Sequence, residues 1–150
     1  MELITYEEQH QERLNDFFRE VFTELGWGYD PQDRHLDTIQ IPDTYMEGGC
    51  FWLLVENDRI VGTVAVKRIK DGTAELKRLY ILKEYRSQHL GELLMSTALS
   101  FAQKSGFSSI CADTRADRSA SIYLMRKNGF VEIQQYNDNP FADLFFEKKF

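Results

Sequence analysis

The chain has 150 residues, of which 43% are hydrophobic and 13% aromatic. This length supports one sizeable hydrophobic core and is too short for two comfortable domains, so we expect a single domain over residues 1–150. The formal net charge of −6 excludes a global positive field of the kind that holds nucleic acid or an anionic membrane surface.

The two cysteines and the N-terminus indicate the cellular setting. Cys50 and Cys111 lack the CxxC spacing of a metal site, and two thiols in a chain of this length do not indicate a disulfide scaffold. The start MELITYEEQH is acidic where a signal peptide is basic, and no apolar run approaches the roughly 20 residues of a membrane helix. We therefore expect a cytoplasmic protein that binds no metal, nucleic acid or membrane and is a monomer or homodimer.

The first third of the chain predicts one short strand and one long helix. Residues 2–6 read as a strand, and residues 7–25 carry apolar side chains at spacings of three and four, on one helix face. The glycines of the GWG segment at 26–28 end this helix. Residues 29–49 have weak periodicity and are expected to form a loop with a short helix around residues 34–39.

The remaining chain predicts more strands and two further helices. β-rich runs separated by the turns NDR and DG predict three antiparallel strands, at 50–56, 60–69 and 73–82. A helix from Leu90 to near Gly106 follows, and after it come a strand at 108–114, a helix at 117–127, and strands at 130–136 and 143–150. This order predicts an α/β (α+β) fold.

The segment RSQHLG, from Arg86 to Gly91, lies where a strand passes into a helix. A helix start exposes unpaired backbone N–H groups and the positive end of the helix dipole, which suit a phosphate or pyrophosphate. Arg86 adds a fixed charge, and Gly91 permits a close approach where a Cβ would collide. From these features alone the segment is either an ordinary turn or an anion-binding loop.

Three stretches, RLYIL, KEYRSQHLGELL and SASIYLMRKNGF, resemble the GNAT superfamily of acetyl-CoA-dependent N-acetyltransferases, whose order of elements also matches. In that family the loop reads Arg/Gln-x-x-Gly-x-Gly/Ala, and its backbone amides hold the pyrophosphate of coenzyme A. Arg86 matches the first position and Gly91 the last, while His89 replaces the first glycine. The resemblance implies a GNAT-like domain whose central, mixed, mostly antiparallel twisted sheet has about seven strands flanked by about four helices.

The resemblance also implies an acyltransferase with acetyl-CoA as cosubstrate. The implied coenzyme contacts lie at the end of one strand, in the loop and on the late helix, at Leu79, Tyr80, Ile81, Arg86, Ser87, Gln88, His89, Leu90, Gly91, Glu92, Arg118, Met125 and Lys127. The family often has Asn where Arg118 aligns. His89 is either a solvent-exposed residue or a direct contact to a phosphate.

The group that protonates the leaving thiolate is not evident from the sequence. Many relatives place a tyrosine in the late helix, five residues before the Phe of a Gly-Phe pair, and Met125 holds that position here. Tyr123 lies about 200° round the helix from Met125 and cannot substitute for the family tyrosine. The alternatives are Tyr136, Tyr45 or solvent. Cys111, in an apolar strand, is expected to be a core residue and not an acyl carrier.

Glu75 resembles the general base of several family members, which often acts through water. It is either that base or a carboxylate in an ion pair with Lys77 or Arg78. Alternation along this strand predicts two faces, with Glu75, Lys77, Leu79 and Ile81 on one and Ala74, Leu76, Arg78 and Tyr80 on the other.

The acceptor pocket is expected between residues 27–45 and 136–141. The candidates in these segments are Trp27, Tyr29, Tyr45 and Tyr136, which suit a small amine with an apolar or aromatic part. Arg115, between the strand at 108–114 and the helix at 117–127, is a further candidate. The first hypothesis is therefore an N-acetyltransferase that acetylates a primary amine of a small molecule or amino acid by direct attack. The alternatives are a peptide or protein amine acetyltransferase and a coenzyme A-binding module with little catalysis.

Overall fold

A computed structural model describes all residues from 1 to 150 and contains one seven-stranded sheet with four α-helices. The strands are β1 (Glu2–Thr5), β2 (Cys50–Glu56), β3 (Arg59–Lys70), β4 (Thr73–Ile81), β5 (Ser109–Thr114), β6 (Val131–Ile133) and β7 (Leu144–Lys149). The helices are α1 (Gln11–Glu24), α2 (Ile41–Tyr45), α3 (Leu90–Lys104) and α4 (Ser119–Lys127). The strand order is β1-β2-β3-β4-β5-β7-β6, and only β4 and β5 run parallel. The predicted mixed, mostly antiparallel sheet is confirmed.

The helices pack on both faces of the sheet. Phe18 of α1 lies edge-on to Phe51 of β2, whereas Phe101 of α3 lies edge-on to Trp52, the next residue of the same strand. Because successive strand residues point to opposite faces, α1 and α3 cover opposite faces. We refer to the two sides as the α1 face and the α3 face. The α1 helix fits its periodic sequence, since five of its apolar side chains are buried.

Strand β4 contains a bulge. Thr63 of β3 pairs with Tyr80, and Ala65 pairs with Lys77, so β4 has one residue more than β3 in this stretch. Arg78 lies in the bulge and has a left-handed φ of 53°. Since cross-strand partners share a face, Lys77 and Tyr80 both lie on the α1 face. The prediction that Tyr80 lies opposite Glu75 and Lys77 is therefore wrong, because strict alternation ends at the bulge. The prediction that Ile81 shares the face of Glu75 and Lys77 is wrong for the same reason, since Ile81 pairs with Gly62 and lies on the α3 face.

Strands β4 and β5 separate soon after they begin to pair. Their parallel ladder consists of Thr73 with Ser109, Ala74 with Ile110 and Glu75 with Cys111. Beyond these pairs, residues 76–81 of β4 do not pair with residues 112–114 of β5. We call this opening the β4–β5 gap. It connects the two faces of the sheet and leaves backbone N–H and C=O groups of both strands without a partner in the facing strand.

The element boundaries differ from the predictions mainly around two connections. The structure adds the short helix α2 and narrows the expected helix near residues 34–39 to a 3-10 turn at Leu36–Ile39. Strand β6 covers only three residues, and beyond it the side chains of Tyr136 and Asn137 hydrogen-bond to side chains of β4 and β5. None of the helices combines the length and apolar character required to traverse a lipid bilayer.

Candidate active site

The loop from Arg86 to Gly91 presents an uninterrupted row of free amides. The six backbone N–H groups from Ser87 to Glu92 donate no hydrogen bond within the protein. They stand at the start of the 15-residue helix α3, where the helix dipole adds positive potential. A row of this kind has the donors and the charge that a pyrophosphate requires.

Two residues of this loop adopt left-handed backbone conformations. Ser87 has φ 66° and His89 has φ 60°, and His89 is the residue that caps α3. A left-handed conformation costs a non-glycine residue about 1–2 kcal/mol, which explains why the corresponding family position is usually glycine. His89 is exposed and makes no side-chain hydrogen bond. Its backbone therefore retains the shape of the glycine it replaces.

Arg86 and Gly91 have separate structural tasks at the two ends of the loop. The Arg86 Nε donates to the carbonyl oxygen of Ile81 at 3.0 Å, and its guanidinium lies 3.7 Å from the carboxylate of Glu24. These contacts hold the loop against the end of β4. A Cβ on Gly91 would lie 2.8 Å from Cδ1 of Leu124 in α4, so this glycine allows α3 and α4 to pack closely.

A cavity of about 330 Å³ occupies the β4–β5 gap and opens on the α1 face. Of the residues proposed from the sequence, it is lined by Trp27, Tyr45, Leu79, Tyr80, Arg115, Arg118 and Met125. Its volume is in the range of small-molecule sites. The cavity therefore reaches from the acceptor candidates on the α1 face to the coenzyme candidates beside α4.

Met125 is buried at 3% exposure and lines the cavity, whereas Tyr123 is 64% exposed. The position of the family tyrosine is thus occupied by a thioether, and Tyr123 points away from the site as predicted. The other two hydroxyls considered are already engaged as donors. Tyr45 donates to Asp37 at 2.5 Å and Tyr136 donates to Glu75 at 2.6 Å.

Glu75 is 5% exposed and lies in a polar cluster on the α1 face, beside the cavity but not among its lining residues. Its Oε2 accepts hydrogen bonds from Tyr136 and from Asn137, the latter at 3.2 Å. Burial, followed by the negative charge of Glu75, raises the pKa of Tyr136 far above its usual range. The Oε1 atom has only Lys77 nearby, at 3.9 Å, so one carboxylate oxygen remains available.

Asp113 is an acidic residue of the site that the sequence analysis missed. It lines the cavity, and Asn137 bridges it to Glu75 by donating to Asp113 Oδ2 at 2.6 Å and to Glu75 Oε2. Asn139 approaches the other Asp113 oxygen at 3.4 Å. The sequence did contain one sign of its role. Asp113 is a carboxylate two residues after Cys111 in a buried strand, and since Cys111 pairs with Glu75, alternation places Asp113 on the same face as Glu75.

Asp37 and Arg78 form a second feature that the sequence did not indicate. Arg78 donates through two nitrogens to the two oxygens of Asp37, at 2.6 and 2.8 Å, and both side chains are largely buried. Burial acts to raise the pKa of Asp37, but the hydrogen bonds and charge of Arg78 outweigh it and lower that pKa. The pair fastens the Leu36–Ile39 turn to the bulge of β4.

Aromatic rings and arginines form the mouth of the cavity. The guanidinium carbon of Arg115 lies 4.2 Å from the ring centre of Trp27 and 5.6 Å from that of Phe141. Arg118 lies over the ring of Tyr80 and donates to the carbonyl oxygen of Leu79 at 3.4 Å. Burial lowers the pKa of Arg118. These contacts place Arg118 in the β4–β5 gap, at the position where the family often has Asn.

Several predicted site residues lie away from the cavity. Tyr29 is packed beneath it, where its hydroxyl contacts Thr38 at 2.6 Å and its ring stacks on His35. Lys127 forms an ion pair of 2.7 Å with Glu92 beside the loop. Cys111 is buried, and burial together with Glu147 and Glu75 raises its pKa to about 11, so its thiol is protonated near neutral pH. This agrees with the prediction that Cys111 is a core residue.

The sequence and the fold are both similar to those of known acetyltransferases. The profile of the acetyltransferase (GNAT) family matches residues 9–130. A probable N-acetyltransferase, camello, of Xenopus laevis is 31% identical over 118 residues, which cover 71% of this chain and 54% of that protein. The N-acetylaspartate synthetase of Danio rerio is 28% identical over 127 residues, covering 77% of this chain and 45% of that protein. The chain spans about half the length of these curated relatives.

Solved structures match over the whole chain. A GNAT-family acetyltransferase of Staphylococcus aureus Mu50 superposes with a TM-score of 0.90 at 24% identity, covering 99% of this chain and 98% of that one. An acetyltransferase of Streptococcus agalactiae gives 0.89 at 27% identity, covering 99% and 98%. The PaiA N-acetyltransferase of Thermoplasma acidophilum, solved in complex with coenzyme A, gives 0.71 at 18% identity and covers both chains fully, at 100% each.

Proposed function

Because the chain belongs to the acetyltransferase (GNAT) family, we propose that it transfers the acetyl group of acetyl-CoA directly to a primary amine of a small molecule or amino acid. The observation that carries this proposal is the row of six free amides from Ser87 to Glu92 at the start of α3, which follows β4 and the β4–β5 gap in the chain. The amides suit the pyrophosphate, and the gap suits the extended arm that bears the thioester.

In the proposed reaction the amine nitrogen attacks the thioester carbonyl carbon. The C–N bond forms, the C–S bond breaks, and the sulfur leaves as a thiolate. The ammonium form of the amine has no lone pair, so a base must first remove a proton. Direct attack also agrees with Cys111, whose protonated thiol lies outside the cavity and is unsuited to carry an acyl group.

Glu75 is the proposed base, acting through solvent. Its Oε2 is held by Tyr136 and Asn137, which fixes the carboxylate, and its Oε1 faces Lys77, a lining residue of the cavity. Asn137 also ties Glu75 to Asp113 within the cavity wall. Glu75 therefore lies behind the cavity wall, next to Lys77 and the Asn137 bridge to Asp113, and the proton of the amine would reach it through solvent.

Solvent is the proposed proton source for the leaving thiolate. Met125 carries no proton to give, and the hydroxyls of Tyr45 and Tyr136 already donate to carboxylates. Thiols of this type ionise within about two pH units of neutrality, so a thiolate is a tolerable leaving group without a dedicated acid.

The test measures thiol release from acetyl-CoA across a panel of amines, amino acids and short peptides, together with the affinity of coenzyme A. Turnover with small amines or amino acids supports the proposal. Turnover with peptides alone would assign the site to peptide or protein amines. Tight coenzyme binding without turnover on any acceptor would leave only a coenzyme A-binding module. Replacing Arg86 with Ala should weaken acetyl-CoA binding, while replacing the exposed Lys104 at the far end of α3 should not.

A further inference from the structure

The cavity has the opposite charge to the molecule as a whole. The protein carries a net charge of −6, yet six cationic side chains line the cavity against two carboxylates. One of those carboxylates, Asp37, is already paired with Arg78. A cleft with such an excess of one sign concentrates small ligands of the other sign. The excess of positive charge in the cavity therefore indicates a ligand that carries a negative group.

Two of these cations have no strong partner in the protein. Lys67 lies opposite Glu75 across the β3–β4 ladder, on the α1 face, and it forms no ion pair or side-chain hydrogen bond. Lys77 has only the 3.9 Å contact with Glu75, whose other oxygen is held by Tyr136 and Asn137. Both side chains are partly shielded from solvent. An anion in the cavity would contact Lys67 without breaking an existing pair, and Lys77 at the expense of a single 3.9 Å contact.

Arg115 adds a planar donor group at the mouth of the same cavity. Its guanidinium is stacked on the ring of Trp27 and approaches that of Phe141, which fixes its plane. None of its side-chain N–H groups donates a hydrogen bond in the structure. A guanidinium fixed in this manner matches the two oxygens of a carboxylate.

Asp113 is the remaining carboxylate of the cavity and is held in place by Asn137 and Asn139. It has no cationic partner within the protein. A fixed carboxylate beside a group of cations matches a ligand that carries a positive and a negative charge on neighbouring atoms. An α-amino acid has this pattern, and a simple amine lacks the negative part.

We propose that the acceptor is an α-amino acid, whose carboxylate is bound by Lys67, Lys77 and Arg115 while its amino group lies beside Asp113. This inference rests on the proposed N-acetyltransferase function and specifies its acceptor. The coenzyme does not account for these cations, because its pyrophosphate is assigned to the amides at Ser87–Glu92, its 3′-phosphate lies on the ribose beyond the pyrophosphate and away from the thioester, and the arm that passes through the gap is uncharged. The three cations are thus left for the acceptor.

The experiment compares amino acids with the amines that differ only by loss of the carboxylate. Suitable pairs are phenylalanine with phenethylamine, methionine with 3-(methylthio)propylamine, and aspartate with β-alanine, each assayed for acetyl-CoA-dependent thiol release. We expect kcat/KM to be at least tenfold higher for phenylalanine and methionine than for their decarboxylated partners. The aspartate pair reports whether a second carboxylate is also accepted, since β-alanine keeps one.

Variants then assign the preference to the named side chains. Lys67→Met and Lys77→Met should each reduce the preference for the carboxylate-bearing partner by about tenfold through KM, with a smaller effect on the decarboxylated amine. Arg115→Gln should act similarly. Lys70→Met is the matched control, because Lys70 is an exposed residue of β3 outside the cavity and should leave the preference unchanged.

The outcomes separate this inference from the proposed function. Equal kcat/KM for both members of the first two pairs, or a preference that survives Lys67→Met, Lys77→Met and Arg115→Gln alike, would overturn the α-amino acid while leaving the N-acetyltransferase intact. Turnover with peptides alone would also overturn it. Absence of thiol release with every acceptor would remove the proposed function itself and this inference with it.

Discussion

At the scale of single residues, the site depends on how a few polar groups share their hydrogen bonds. Glu75 offers one oxygen to Tyr136 and Asn137 and retains the other on the side of Lys77. This division allows a buried carboxylate to be both fixed in position and able to accept a proton. Glu75 could be predicted as a candidate base from the sequence, because it lies on the strand that precedes the loop. Tyr136 and Asn137 could not be recognised as its partners, since they lie 61 and 62 residues away.

Replacement of Glu75 by Gln tests the role of the base. The amide has nearly the same shape but cannot take the proton, so turnover should fall by about 10²-fold or more. The pH optimum should move upward, because the acceptor amine must then lose its proton to bulk solvent. The measurement is kcat/KM for the acceptor between pH 6 and 10.

The control for this replacement is Glu147→Gln. Glu147 lies on β7 on the same face, where it contacts Cys111, and it does not line the cavity. Its replacement should leave the pH–rate profile unchanged. If Glu75→Gln leaves the profile unchanged as well, Glu75 is not the base, and Asp113 becomes the carboxylate to replace.

At the scale of elements, the loop before α3 keeps its amide row although the family glycine is absent. His89 and Ser87 adopt left-handed conformations, which direct the N–H groups outward whichever side chain is attached. The Arg86-to-Gly91 spacing and the flanking strand and helix were readable in the sequence. The bulge of β4 was not, because the residues Lys77 to Leu79 include no glycine or other local signal and Arg78 is held there by Asp37, 41 positions earlier.

Two substitutions of His89 separate backbone shape from side-chain contact. His89→Gly keeps the left-handed backbone and should bind coenzyme A within about threefold of the original affinity, if the amides are the binding groups. His89→Val places a β-branched residue in the same conformation and should lower the free energy of unfolding by about 1–2 kcal/mol and weaken coenzyme binding. Calorimetric titration with coenzyme A and denaturant unfolding provide the two measurements. A large loss of affinity in His89→Gly alone would show that the imidazole itself contacts the coenzyme.

The close contact between α3 and α4 at Gly91 and Leu124 can be tested by substitution. Gly91→Ala would bring a Cβ to 2.8 Å from Cδ1 of Leu124, so the leucine must shift, and the cost of this shift opposes the roughly 0.5–1 kcal/mol that alanine gains over glycine within a helix. Combining it with Leu124→Ala removes the clash. The double variant should therefore be more stable, by at least about 0.5 kcal/mol, than the sum of the two single changes would give, as measured by denaturant unfolding. Strict additivity would show that Gly91 is not required for this packing.

At the scale of the whole molecule, the structure combines an acidic exterior with a cationic cavity placed where two parallel strands separate. The composition revealed the first property through the net charge of −6. It could not reveal the second, because the cations of the cavity come from separate segments of the chain and only the fold brings them together. Lys67 and Arg115, for example, lie on β3 and after β5. Single charges along a chain ordinarily predict a solvated surface.

The Asp37–Arg78 pair connects the N-terminal part of the chain to the centre of the sheet, and its loss should affect the stability of the entire fold. Replacement of Asp37 by Asn leaves the buried charge of Arg78 without its counter-ion, and we expect the free energy of unfolding at pH 7 to fall by about 3 kcal/mol. Asp30→Asn is the matched control. Asp30 lies 3.6 Å from Arg34 in a more exposed pair, and its replacement should cost less than about 1 kcal/mol.

The same pair predicts how this difference in stability depends on pH. Because the pKa of Asp37 is lower in the folded protein than its ordinary value of 3.8, its contribution is complete above that value and is lost as the pH falls through the folded pKa. The stabilities of the original protein and Asp37→Asn should therefore stay separated by a constant amount from pH 5 to 8 and converge below about pH 4. Urea unfolding at a series of pH values measures both curves. A separation that persists undiminished in strong acid would mean that Asp37 stabilises the fold through its shape and not through its charge.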